Sequence, residues 1–467
     1  MEQFESDEEQ TDILSKVKRF EQMISAQGAW YFDREDFQEI TDYYLSIQDY
    51  ENAETVLNYA FNLHPDSHEL RVSEVHVLLG KGKFKAALEL VKDIELFLPL
   101  NYEVLCAKGS IYSRLKQSEK ALNCFKQALP LAEFKEELYF LIAMEYQHAM
   151  EHEKALKYHK LALLENPTFE LSLYEINVCF DCIDKDEEAI KYYEEFLNEN
   201  PYSDTAWFNL GIIYGKKDEF SKAVDAFDYA LAINPFYSSA LFNKANSYAS
   251  WGKYPEAIQC YQESIQHDFP TYITYSYIGE CYERMNKVEL ALKYFDKSIA
   301  EEENYPDAWL GKAIALDNQK KYVEAYNCIQ RAINLDNSEA DYWFTCAEIE
   351  EKLGLIEEAL ESMRSAMERD TEDSGLAVQY TQMTFRNLDI VSTKELVEEL
   401  LEQFPVNTSL MLMKCGLLLC VGKHVEAYKL LEQSLRLEPS CYQFLFDNFP
   451  ASKSNQHILS IVDQHSK

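Results

Sequence analysis

Apolar residues along this chain fall into two helical spacings that alternate from one end to the other. Between Asp204 and Tyr237, Trp207, Leu210, Gly211 and Tyr214 stand at i, i+3, i+4 and i+7, and Ala223, Phe227 and Ala230 at i, i+4 and i+7. Each set lies on one face of a helix. The polar turn Lys216-Lys217-Asp218 separates the sets and Pro235 follows the second, so the stretch predicts two short helices joined as a hairpin.

Counted from Asp204 as position 1, these residues occupy positions 4, 7, 8, 11, 20, 24, 27 and 32, and steps of 34 residues in either direction return the same pattern. Position 20 is Ala53, Ala87, Ala121, Ala155, Ala189, Ala223, Ala257, Ala291, Ala325, Ala359, Thr393 and Ala427. Position 8 is mostly small (Gly109, Ala143, Gly211, Ala245, Gly279), and position 24 is mostly large (Phe125, Tyr193, Phe227, Tyr261, Phe295). Small residues at 8 and 20 let two helix axes approach closely, and large ones fill the flanking space. The phase runs from Arg34 to Cys441 with no insertion.

The series Trp207…Leu210-Gly211…Tyr214…Ala223…Phe227…Ala230…Pro235 resembles the tetratricopeptide repeat, and the whole chain resembles a stand-alone bacterial-type array of such repeats. The expected fold is all-α: an α-solenoid of about twelve helical hairpins with a cap at each end. An acidic segment and capping helix fill 1–33. The repeats fill 34–67, 68–101, 102–135, 136–169, 170–203, 204–237, 238–271, 272–305, 306–339, 340–373, 374–407 and 408–441, and a shortened hairpin fills 442–467. The resemblance implies a right-handed superhelix whose first helices line a groove. Repeat eleven departs most, with Ala377, Thr381, Thr384 and Thr393 at positions 4, 8, 11 and 20, and looser packing is expected there. Ile13, Val17, Phe20 and Ile24 form a stripe fit to cover the first repeat. The first helix of repeat twelve is apolar nearly all round (Leu412, Met413, Leu417, Leu418, Leu419) and needs a cover, either the chain's own tail or a second copy in a homodimer.

Charge narrows the function. With 44 basic and 81 acidic residues the formal charge is −37, which repels nucleic-acid phosphates and favours partners carrying a basic segment. The 11 cysteines are scattered over helix faces, which suits a reducing, cytoplasmic setting. The acidic start has no signal-peptide plan, and the apolar run Leu410–Val421 is interrupted by Lys414 and too short for the ~20 residues a membrane span needs. No phosphate loop, zinc-protease or hydrolase motif occurs in the sequence, and no cofactor or metal is expected. Cys179-x-x-Cys182 lies inside a predicted helix, His148 and His152 lack a third ligand at a fixed offset, and His159 occupies a core position; all three read as structural.

The expected chemistry is therefore protein recognition. By the resemblance, positions 2, 5, 6, 9, 12 and 13 face the groove. They carry an apolar floor (Phe140, Met144, Tyr174, Val178, Phe208, Ile212, Phe242) with Asn209 and Asn243 at position 6, then an acidic wall (Glu280, Glu283, Asp307, Asp317, Asp341, Glu348, Glu351). The family's carboxylate clamp is not matched: around Asn209 the partner positions are Tyr174, Val178, Ser239 and Asn243. The sequence thus points to a non-catalytic scaffold or adaptor for a peptide or helical segment. A client-specific chaperone and a regulatory subunit of an enzyme complex are the competing readings.

Overall fold

The computed structural model describes residues 2–26, 31–267 and 269–465, with side chains from Asp12 onward. Parts of the acidic start, residues 27–30, Asp268 and the last two residues lie outside it. The described backbone is helical throughout and contains no strand. It forms an all-α solenoid of consecutive helix pairs, in two compact units: one through Pro235, the other from Phe236.

The first unit opens on the helix Glu2–Ala26 and continues with six pairs whose first helices begin at Arg34, His68, Tyr102, Glu136, Glu170 and Asp204. The second holds six more, beginning at Ser238, Thr271, Pro306, Ala340, Ser374 and Thr408, and closes on the helices Tyr442–Asn448 and Gln456–His465. Within each pair a tight turn reverses the chain, and position 15 adopts the left-handed conformation in eleven of the twelve turns. The residues are Gln48, Gly82, Lys116, Met150, Asp184, Asp218, Gly252, Asn286, Lys320, Gly354 and Gly422. Glycine takes that conformation freely, and the other residues hold it against steric cost because the pairing of the two helices demands it.

Packing within the pairs follows volume. All twelve position-20 side chains are 0% exposed, Thr393 included. Where position 8 is glycine, position 24 is phenylalanine lying on it: a methyl added at Gly109, Gly211 or Gly279 would sit 2.4, 2.7 or 2.7 Å from the rings of Phe125, Phe227 and Phe295. In four repeats a larger position 8 goes with a smaller position 24, as in Thr41 with Leu57, Val75 with Val91, Thr381 with Val397 and Cys415 with Leu431; repeat five departs, with Asn177 beside a fully buried Tyr193. The position-4 tryptophans fasten one pair to the next: Trp207 donates to the Pro201 carbonyl at 3.0 Å, Trp309 to that of Glu303 at 3.0 Å and Trp343 to that of Asn337 at 3.1 Å.

Repeat eleven keeps its core by another route. The hydroxyls of Thr381, Thr384 and Thr393 donate to carbonyls of their own helices at 2.8–2.9 Å, which leaves their methyls to pack. Its turn lacks the left-handed residue. Leu388 is extended (φ −119°, ψ −168°), and Asp389 caps the second helix through the Val391 and Ser392 amides.

Both ends are covered by the chain itself. Val17 and Phe20 are buried against Phe32 and Phe37, but Ile24 is 39% exposed and takes no part in the cap, contrary to the stripe read from the sequence. At the other end, Leu445, Phe446, Phe449 and Ile458 share a buried cluster with Leu412, Met413, Leu417 and Leu418. Phe449 lies on Gly416 and is 4.8 Å from the Phe385 ring, and Gln382 donates to Asn448 at 3.1 Å. The tail therefore occupies the face for which a second copy had been the alternative.

Two outcomes check this packing. Gly211→Ala should lose about 1–3 kcal/mol by overpacking, and adding Phe227→Leu should cost less than the sum of the single changes in urea unfolding. Deleting the residues after Cys441 should lower the melting temperature and yield oligomers in light scattering, because the apolar face of repeat twelve is uncovered. A monomer of unchanged stability would refute the capping role.

Candidate functional site

The side chains assigned to the groove sit on first helices whose opposite faces are fixed in the core, so their register is set by the packing just described. Their depth differs from what the register alone implies. In the first unit, Leu171, Tyr174 and Val178 on the helix Glu170–Cys182 are 56%, 40% and 47% exposed, with Phe140, Met144 and Ile212 half-buried. Phe208 is only 7% exposed and lies 5.9 Å from the Phe227 ring. Asn209 is 2% exposed; its amide donates to the Leu173 carbonyl at 2.9 Å and to the Tyr193 hydroxyl at 3.2 Å, tying repeat six to repeat five. In the second unit Phe242 is 8% exposed, stacked 4.2 Å from Phe269 and edge-on to Tyr277 at 5.1 Å. Asn243 donates to the Ser239 carbonyl of its own helix. Phe208, Asn209 and Phe242 are thus packing residues. The accessible apolar strip is Leu171, Tyr174 and Val178, and Leu171 was not among the residues assigned from sequence although it stands at position 2.

The acids divide into two kinds. Those at position 12 are met by a donor at position 13 of the following repeat, 35 residues on. Asn318 donates to Glu283 at 2.7 Å, Lys352 to Asp317 at 2.6 Å, and Arg386 to Glu351 through two bonds of 3.0 and 2.8 Å. The first unit has the same rung between Lys216 and Asp181 at 2.7 Å. Burial pushes the Glu351 carboxyl up, but the bonds from Arg386 and Asn387 outweigh it and hold it below the usual range. Asp181, Asp317 and Glu351 are paired with a cation within the fold and Glu283 with a neutral amide, and the spacing of 35 was a signal the sequence already contained. Asp307 accepts from the Tyr342 hydroxyl at 2.5 Å.

Glu280 and Glu348, at position 9, have no such rung. Burial raises both, with neighbouring acids adding to it. Glu280 is pushed up to about 7. Its surface is open to water while protein crowds it from the sides, so the charged form lacks full solvation without being sealed off. Asp341 is exposed.

The candidate chemical groups are structural. Cys179 is buried and its thiol is pushed up to about 12 by burial, while Cys182 points outward; all 11 cysteines are free thiols. His148 stands 3.6 Å from Glu145. Among the described residues no group of three or more His, Cys, Asp or Glu is placed to hold a metal ion, and no helix is long and apolar enough to cross a membrane.

Consecutive helix pairs, each packed on its neighbours within its unit, define the class, an all-α repeat solenoid. Family models for the tetratricopeptide repeat match residues 102–133, 205–237, 238–268 and 278–339, and the chain belongs to the tetratricopeptide-repeat family. No curated protein sequence matches it. Among solved structures, it is similar to the anaphase-promoting complex (APC/C) hetero-tetramer Cut9–Hcn1, at 15% identity over 95% of each chain with a TM-score of 0.43. It is also similar to YrrB, described as a TPR protein with an unusual peptide-binding site (20% identity, 40% of this chain and 96% of that one, TM-score 0.30). A third is MamA (19%, 35% and 95%, TM-score 0.30).

His159 supplies a pH test of the first unit. It is fully buried, with Nδ1 3.2 Å from the Ser172 hydroxyl and Nε2 3.2 Å from the Gln147 carbonyl oxygen, and burial lowers it from 6.5 to about 4. A lowered histidine is neutral in the fold and takes up its proton on unfolding. Its contribution is therefore complete above the unfolded value of 6.5 and is lost as pH falls towards 4. The wild type should lose up to about 1.4 kcal/mol per pH unit in that window relative to His159→Phe. Parallel urea midpoints for the two chains across the window would refute this.

Proposed function

We propose that this chain is a non-catalytic scaffold that captures a segment of a partner protein on the first-helix face of its repeats. The observation that carries the reading is the strip Leu171, Tyr174 and Val178, three sizeable apolar side chains left in solvent on one helix whose other face is core. A contiguous apolar surface of this kind is costly on a soluble chain unless something docks there. The occupant we favour presents an apolar anchor beside basic residues, because the chain carries −37 and acids flank the strip at Glu137, Glu170 and Glu175. The unpaired Glu280 and Glu348 in the second unit favour the same charge. Membership of the tetratricopeptide-repeat family supports a role in protein interaction. Eleven free thiols fit a reducing, cytoplasmic setting.

A photoreactive residue at position 178 of the full chain should crosslink a partner in native lysate. The purified partner should then bind Tyr174→Ser/Val178→Ser at least about tenfold more weakly through faster dissociation, while Met150→Ser, an exposed change on a turn, leaves binding intact. Salt should slow association. A single stoichiometric partner identifies a scaffold or subunit, and many unfolded clients identify a chaperone. A crosslinked partner indifferent to both the strip and salt would overturn the reading.

A further inference from the structure

A recess opens between consecutive first helices at the same register positions, lined by position 9 of both helices, position 13 of both and position 6 of the later one. Between repeats three and four it has a volume of about 710 Å³ and carries Ser110, Arg114, Leu141, Met144 and His148. Between repeats seven and eight it measures about 510 Å³, and its lining changes to Asn246, Tyr254, Tyr261, Tyr277, Glu280 and Arg284. The same register positions line both recesses, and their contents differ from one joint to the other.

The second recess combines two features that suit one ligand class. Tyr254 and Tyr277 are half-buried walls, and Tyr277 is held in place edge-on to Phe242 and 5.8 Å from the buried Tyr261 ring behind it. Tyr261 is itself fixed by a 2.5 Å hydrogen bond to Asn246. Tyrosine faces attract cations. At the mouth stands Glu280, whose neighbours are otherwise engaged: Glu283 with Asn318, and Asp307 with Tyr342. Arg284, one turn along the same helix, has no acid opposite it in repeat seven, where position 12 is Ala249, and its recorded ion contact is with Glu283 at 3.9 Å. It lowers the Glu280 carboxyl but does not pair with it, and the net effect of burial, Asp307, Arg284 and Glu283 is upward.

We propose that this recess is a subsite for a basic side chain, arginine above all, presented by a partner protein, with Glu280 as counter-charge and Tyr254 and Tyr277 as aromatic walls. The proposal rests on the scaffold reading and names what its acidic part recognises. An arginine entering here ion-pairs with Glu280 and displaces Arg284 from its neighbourhood. It also favours the ionised carboxylate, so entry near neutral pH releases a proton.

Saturation-transfer NMR on the full chain with N-acetyl-arginine amide, and with the neutral isostere N-acetyl-citrulline amide, tests this directly. The arginine compound should bind and the citrulline compound should not. Glu280→Gln should weaken the arginine compound by about tenfold or more, and Arg284→Gln should strengthen it, a gain that a merely structural role for either residue does not produce. Binding should also weaken from about pH 8 to about pH 5.5 in the wild type and stay flat in Glu280→Gln. Equal binding of the two compounds, or an arginine signal indifferent to Glu280→Gln, overturns the subsite. If the subsite fails in this way while Tyr174→Ser/Val178→Ser still releases a crosslinked partner, the scaffold reading stands without it; if that release also fails, both fall.

Discussion

The close approach of two helix axes within each pair is the constraint on which the rest of this structure depends. Twelve position-20 side chains with no exposed surface mark the contact line, and the step of 34 residues repeats it. A contact that tight leaves a fixed volume between positions 8 and 24. Phenylalanine at position 24 lies over glycine at Gly109, Gly211 and Gly279, and a bulkier position 8 goes with a smaller partner in Val75 with Val91, while repeat five combines Asn177 with Tyr193. In most repeats the two positions therefore vary as a pair, which helps a degenerate repeat keep its geometry. In repeat eight Phe295 is pinned from both sides, since Gly311 of the next repeat also faces its ring at 2.3 Å for an added methyl. Close packing of this kind tolerates exchange of volume between neighbours better than a change in its sum.

With the core positions committed, what distinguishes one joint from another is confined to positions 2, 5, 6, 9, 12 and 13. Position 12 is drawn back into structure wherever it is acidic, because position 13 of the following repeat stands within hydrogen-bond reach. Each exposed rung adds little stability, on the order of 0.2–1 kcal/mol. Its larger effect is to engage the position-12 acids within the stack, whereas Glu280 and Glu348 have no such rung at position 9. Glu280 and Glu348 occupy it in the second unit, whereas Met144 and Val178 occupy it in the first.

Much of the fold was legible because the period is strict: the helix starts at Arg34, His68, Tyr102, Glu136, Glu170 and Asp204 fall where the spacing puts them. The candidate site was less so. Register tells which face a side chain is on, but not how deep it sits. Phe208 and Phe242 share position 5 with Tyr174, yet Phe227 and Phe269 draw them inward while Tyr174 remains 40% exposed. Ring–ring contacts of this kind depend on a neighbour in the facing helix or the loop, which a reading of one helix at a time does not include. Asn209 is assigned to the groove by its register position alone. Its amide instead meets the Leu173 carbonyl and Tyr193 hydroxyl, and a buried amide left without those partners would cost about 1–3 kcal/mol. The acidic wall shrank for a different reason, since its charges were counted without the donors 35 residues away.

The ends of such a stack carry a further consequence for where recognition takes place. Each pair contacts only its neighbours, so a terminal pair has one apolar side with nothing beside it. Repeat twelve meets this with Phe449, whose ring occupies the space a side chain at Gly416 would fill; Gly416 stands at position 9, the register that carries Glu280 and Glu348. The tail reaches back one repeat further, through Asn448 to Gln382, which is position 9 of repeat eleven. Position 9 of two consecutive repeats is thus covered by the cap. Repeat eleven also lacks the left-handed turn residue that the other eleven share, so the segment that deviates most in its turn is the one the tail braces. The cap and the proposed binding surface draw on the same register, and in the second unit the open part of that register ends at Glu348, before the first position the tail covers.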